Sequence, residues 1–256
     1  MSKILKIFNY KILFILFSIS LLIGQEPKPI KAGVAPYSYD YQGDLDALHY
    51  SIEIGLGEKT DFIEAKVAIK LVSKKDNPNL RLDFTGLKIE SFYVNDIVSS
   101  YSYDKGIIDK NLNGYNYGDS LIIKVHYSGK ADDGLIIGNN VHGNRTIFVD
   151  NWPNRTRFWL PSIDHPSDKA TVTYNIHAPK KWKVIANGYS LGKPTKTINN
   201  AIGPKEDRLT WSWKVNVPIP TYNMVVGAAD LEIRTVGLAA CGNAPASMRE
   251  DGCIEV

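Results

Sequence analysis

From Leu45 onward the chain alternates apolar and polar residues with a period of two. Apolar side chains fall at Tyr50, Ile52, Ile54 and Leu56, at Ile63, Ala65, Val67, Ile69 and Leu71, and at Leu80, Leu82 and Phe84. The spacing returns at Leu121, Ile123, Val125 and Tyr127, and at Ala170, Val172, Tyr174 and Ile176. It returns again at Trp182, Val184 and Ala186, and at Leu209, Trp211, Trp213 and Val215. Successive side chains of a strand point to opposite faces, so each set predicts a strand with one buried face. No segment shows a comparable helical stripe.

Turn formers separate these sets, at Asp76-Asn77-Pro78, Asn113-Gly114, Tyr117-Gly118-Asp119, Ser128-Gly129, Asp132-Asp133-Gly134 and Asn187-Gly188. Short strands punctuated in this way predict an all-β fold, a large antiparallel structure of two packed sheets in a saddle-like or sandwich arrangement. Residues 45–256 suffice for one such domain with a real core. The stretch 99–119, rich in Tyr, Asn, Asp and Gly, reads as a long irregular loop. No internal repeat is visible.

The N-terminus changes the picture of charge and location. Lys3, Lys6 and Lys11 precede an apolar run from Ile12 to Ile23. That is a basic region followed by a stretch shorter than the ~20 residues a spanning helix needs, the form of a signal peptide over 1–24. Small residues near Gly24 offer a cleavage site, with an uncleaved anchor as the alternative, and both readings place the protein outside the cytoplasm. Residues 25–44, with Pro27, Pro29 and Pro36, form an extended linker. The whole chain has 30 basic and 27 acidic residues. Three of the Lys and none of the acids lie before Gln25, so the remainder balances at 27 against 27. Without a basic stripe, nucleic-acid binding lacks electrostatic support.

Cys241 and Cys253 are the two cysteines. An even count in an exported chain predicts a disulfide between them, and closing so short a loop stabilises by roughly 3 kcal/mol in the chain-entropy model.

The segment Arg157-Phe-Trp159-Leu-Pro161-Ser-Ile-Asp164-His-Pro166-Ser-Asp168-Lys169-Ala170 resembles the R-x-W-x-P-x-x-D-x-P-x-D-K-A signature of the aminopeptidase N family of zinc metallopeptidases. Further segments fall in that family's order. They are Asp46-Ala-Leu-His-Tyr50, Leu82–Ile89, Tyr127-Ser-Gly129, Gly134-Leu135, Trp182–Gly188, Trp211-Ser-Trp213, Pro218–Tyr222 and Val225–Leu231. The resemblance implies the N-terminal β-domain of such an enzyme, with residues 45–256 incomplete at the C-terminus. The zinc helix, with its H-E-x-x-H motif, would lie downstream in a separate catalytic domain. In the family the segment ahead of the signature reaches into the active site and carries a Gln or Glu for the substrate's free amine. Here that place is taken by Asp150, Asn151 and Trp152, which become the candidate substrate-binding residues.

The chemistry of catalysis is not in this sequence. His49, His126, His142, His165 and His177 are the five histidines; none precedes Glu and no two are four apart. A catalytic zinc needs three convergent protein ligands, so the expectation is no catalytic residue and no metal ligand in this chain, with zinc bound by the full-length enzyme. Arg157, Trp159, Pro161, Asp164, Pro166, Asp168 and Lys169 read as scaffold. Arg157 is placed to pair with Asp164, and the carboxylates of Asp164 and Asp168 to accept backbone N–H groups that fix a tight turn. His49 reads as a structural strand histidine. Trp159, Trp182, Trp211 and Trp213 read as core or intersheet packing.

Two functions follow. One is the pocket-side domain of an exported aminopeptidase that removes N-terminal residues from peptides, with peptide contacts made through the missing catalytic domain. The other is a stand-alone β-sandwich module that binds carbohydrate or protein. Neither needs a membrane span beyond the signal segment.

Overall fold

In the computed structural model, residues 43–198 and 201–232 are described. The signal segment, the linker up to residue 42, and Cys241 and Cys253 with their expected disulfide lie outside them. Strands run in the order β1 (Leu45–Gly55), β2 (Phe62–Ser73), β3 (Asn79–Asp83), β4 (Lys88–Val94), β5 (Ile97–Val98), β6 (Ser102–Asp104), β7 (Ile107–Asn111) and β8 (Ser120–Lys130). There follow β9 (Leu135–Asn139), β10 (Arg145–Val149), β11 (Lys169–Pro179), β12 (Lys183–Ala186), β13 (Tyr189–Ser190), β14 (Thr195–Lys196), β15 (Arg208–Pro220) and β16 (Val226–Ala229). Helix is confined, among the described residues, to single 3₁₀ turns at Thr156–Phe158 and Thr221–Asn223.

The largest sheet orders its strands β13-β15-β11-β1-β2-β8-β4-β5, with β14 also paired to β15. Its register shows why the period-two pattern works. Trp213, Tyr174, Ile52, Val67, Val125 and Phe92 are successive cross-strand neighbours on one face. Of these, all but the half-buried Trp213 are buried. The next row, Asn175, Glu53, Lys66 and His126, faces the other way. That side stays wet and polar, with Glu53 paired to His177 at 3.0 Å and Glu64 to His126 at 2.8 Å. His49, expected as a structural histidine, sits with its Nδ1 2.7 Å from the Thr171 hydroxyl, and burial holds its pKa down.

Two smaller sheets complete the domain, β12-β16-β10-β9 and β3-β7-β6. The expected two-sheet division is therefore three among the described residues. The third sheet comes from the stretch expected to be an irregular loop: β7 pairs with β3, β6 pairs with β7, and Ile108 and Leu112 are buried. A second difference lies at the centre of the large sheet, where β1 and β11 are parallel. A period of two reads the same in both directions, so side-chain alternation cannot reveal this.

Core packing follows the pattern closely. Trp159 and Trp182 are fully buried, whereas Trp211 and Trp213 are half-buried against the edge of the core. Gly134 is required where the chain enters β9. Its φ is +72°, and a Cβ there would lie 2.1 Å from the Arg155 carbonyl oxygen.

Candidate functional site

The candidate segment begins where β10 ends. The Asp150 amide donates to the Gly134 carbonyl at 2.7 Å, and the Arg155 amide donates to the Asn151 carbonyl at 2.8 Å. Residues 151–155 are thereby closed into a tight loop, in which the Trp152–Pro153 peptide is cis.

The three candidates in it part company. Asn151 is 1% exposed and points inward. Its Nδ2 donates to the carbonyls of Thr221 (3.1 Å) and Met224 (2.8 Å), and its Oδ1 accepts from Trp159 Nε1 (2.8 Å). Both amide protons are used inside the protein, so Asn151 anchors the loop. Asp150 and Trp152 face solvent, with Trp152 63% exposed. Trp152 meets Tyr222 edge to face, ring centroids 5.3 Å apart. Asp150 is salt-bridged to Arg155.

Arg155 and Tyr222 were not singled out from the sequence. Arg155 Nε donates to the Trp152 carbonyl at 2.7 Å and its Nη1 reaches Asp133 at 3.2 Å, so one guanidinium ties Asp150, Trp152 and Asp133 together. Its place three residues after Trp152 was the available signal. Tyr222 closes the Pro218–Tyr222 segment noted above, but it lies seventy residues away in sequence and nothing linked it to Trp152.

The signature beyond the loop is scaffold in the structure. Arg157 Nε donates to Asp164 at 3.1 Å, Arg157 Nη1 lies 3.2 Å from Asp83, and the Thr221 hydroxyl donates to Asp164 at 2.8 Å. Arg157 also donates to the Asn154 carbonyl at 3.1 Å. Burial raises the Asp164 pKa, and Arg157 and Thr221 oppose that rise. The expected pairing of Arg157 with Asp164 is thus present. Both carboxylates accept a backbone N–H as expected, Asp164 from Arg157 and Asp168 from Ala47, but neither of these bonds lies within the tight turn. The turn over Pro166 and Ser167 closes through the Asp168 amide donating to the His165 carbonyl at 3.1 Å, and His165 Nδ1 lies 2.6 Å from the Ser167 hydroxyl. The Asp164 carboxylate is held by Arg157 and Thr221, and that of Asp168 by the start of β1. Asp168 accepts from the Ala47 amide at 3.3 Å, while its Oδ1 is buried without a hydrogen-bond partner. Burial pushes its carboxyl up to about 7. Trp159 and Pro161 are buried, Pro166 is half-buried, and Lys169 is exposed at the start of β11.

Among the described residues, no three His, Cys, Asp or Glu side chains converge as a metal site would require. No helix among them is long and apolar enough to cross a membrane.

The β fold is similar to that of solved zinc metallopeptidases. An M1 zinc metallopeptidase from Deinococcus radiodurans aligns at 23% identity with a TM-score of 0.65, covering 79% of this chain and 46% of that one. A two-domain M1 zinc metallopeptidase variant bound to L-tryptophan aligns at 22% and 0.66, covering 79% and 46%. Native yeast LTA4 hydrolase aligns at 19% and 0.61, covering 85% and 34%. The chain thus spans less than half the length of these relatives. A search of curated proteins finds no match. Residues 46–223 match the model of the Peptidase M1 N-terminal domain, and the chain belongs to that family.

Proposed function

We propose that this chain is the pocket-side β-domain of an exported zinc-dependent aminopeptidase, and that Asp150 and Trp152 line its first substrate subsite. The observation that carries the reading is the division of labour in the loop. Asn151 is locked into the core, and its two neighbours are presented to solvent on that anchor. The family assignment supplies the peptidase context.

The chemistry is suited to a peptide's N-terminal residue. A carboxylate attracts the substrate ammonium, and a charge-assisted hydrogen bond contributes about 1.5–3 kcal/mol. Arg155 holds Asp150 in place, so little side-chain freedom remains to be lost on binding. Trp152, steadied by Tyr222, offers an apolar wall for the first side chain. Zinc held by the downstream domain would supply the activated water. Residues 1–24 would direct export, and Cys241 and Cys253 would be paired outside the cytoplasm.

The test is kinetic. In the product of the complete gene, Asp150→Ala and Trp152→Ala should each lower kcat/KM for aminoacyl anilides by roughly ten- to a hundredfold, with unchanged circular dichroism. Wild-type kcat/KM in both variants would exclude the subsite assignment.

A further inference from the structure

The outer face of the large sheet is polar but not flat. Two of its rows run across the strands as Thr173, Ser51, Ala68, Lys124 and Tyr93, and as Asn175, Glu53, Lys66, His126 and Ser91. Ser51 and Ala68 are short and lie side by side in the middle of the first row, with long side chains around them. A groove of about 340 Å³ opens there, and Tyr93 stands in its wall. Small-molecule sites occupy roughly 300–1,000 Å³, so the groove is of a size to hold one. Some of the polar groups around it are already committed. Lys124 is paired with Asp96, and His126 Nε2 lies 2.8 Å from Glu64. Others are held in place with bonding capacity to spare. Glu53 takes His177 on Oε1 at 3.0 Å, and that hydrogen bond keeps its carboxyl below the usual carboxylate range, so Oε2 remains a fixed, charged acceptor. Asn175 Oδ1 accepts from the Ser212 hydroxyl at 2.7 Å, which leaves its amide protons as donors. Lys66 makes no hydrogen bond or ion pair among the described residues, and its ammonium acts on Glu53 only through space.

We infer that this groove binds an acidic saccharide, with the carboxylate of a uronic acid on Lys66, ring hydroxyls between Glu53 and the Asn175 amide, and one face of the sugar against Tyr93. Each sugar hydroxyl both donates and accepts, and a carboxylate beside an amide meets both needs. A tyrosine ring gives the C–H face of the sugar a flat apolar partner. The uncommitted ammonium selects an acid over a neutral sugar. Nucleic acid would call for successive stacking rings and a basic track, and the groove has one ring and balanced charge around it. The contacts lie in solvent, so the expected Kd is on the order of 1 mM. No residue of the 150–155 loop lines the groove, and the inference stands independently of the peptidase reading.

Saturation-transfer NMR titration of the complete gene product tests this. The probes are trimers of galacturonate, glucuronate and mannuronate, each beside its methyl ester as the neutral counterpart. At least one acid should bind about three- to fivefold more tightly than its ester, the range an exposed ion pair supplies. Lys66 is exposed, so its replacement leaves the fold intact. Lys66→Ala should abolish the preference for the acid without changing the affinity for the ester, and Lys66→Arg should retain it. Three results would each overturn the inference. They are no binding of any acid below about 20 mM, an ester bound as tightly as its acid in every pair, and wild-type affinity for the acids in Lys66→Ala.

Discussion

Asn151 shows how a residue can be placed correctly in a motif and given the wrong partner. Its neighbours in sequence suggested a polar contact to substrate, but its amide is spent on Trp159, Thr221 and Met224. The partners at 221 and 224 are some seventy residues away, beyond the reach of local pattern. Asn151→Ala should therefore act on stability, by about 1–3 kcal/mol for the buried groups left unpaired. Urea unfolding at neutral pH gives the measurement. Arg157 was legible as the partner of Asp164, though its contact with Asp83 was not. Arg157→Ala strands a buried carboxylate and should cost roughly 3–5 kcal/mol in the same assay. Asp168 gives a pH signature. Its folded pKa is raised from 3.8 to about 7 by burial, so the folded state binds a proton that the unfolded state releases between those values. Its contribution to stability should fall as pH rises through that window, by an amount on the order of 4 kcal/mol. Asp164, also raised by burial, adds to the loss in the same direction. Asp168→Asn should flatten the slope of unfolding free energy against pH between 4 and 7; an unchanged slope would show that the Asp168 carboxyl does not titrate there.

Most strands were legible because burial on one face writes a period of two into the sequence, and β1, β2, β3, β8 and β11 bury the expected side chains. Pairing partners and direction were not legible. β1 lies beside β11, more than a hundred residues away, and nothing local in either strand encodes that neighbour or its parallel sense. The 99–119 stretch was misjudged for a related reason. β6 and β7 are short, and within 99–119 only Ile108 and Leu112 are buried, so the stretch carries little period-two signal. At the element scale Gly134 is the sharpest test. A methyl group there collides with the Arg155 carbonyl and requires an unfavourable positive φ. Gly134→Ala should displace the 151–155 loop and lower thermal stability by several degrees, about what a loss of 1–2 kcal/mol produces in a domain of this size. A melting temperature within a degree of wild type would contradict the fit described for that turn.

For the whole molecule, fold and family were legible from ordered motifs spread along the chain, and the proposed division of labour between domains rests on ligand chemistry. A zinc held by fewer than three protein ligands is lost to buffer, and no such cluster forms among the described residues. Under the proposed function the β-domain would contribute recognition, and a metal-activated water would come from a further domain. The most direct test measures zinc and anilide turnover in two samples, residues 25–256 and the product of the complete gene, after desalting. The account predicts background zinc and no turnover for the first, and about one tightly bound zinc per chain with chelator-sensitive turnover for the second. Stoichiometric zinc in residues 25–256, or a complete product without zinc and without activity, would contradict it.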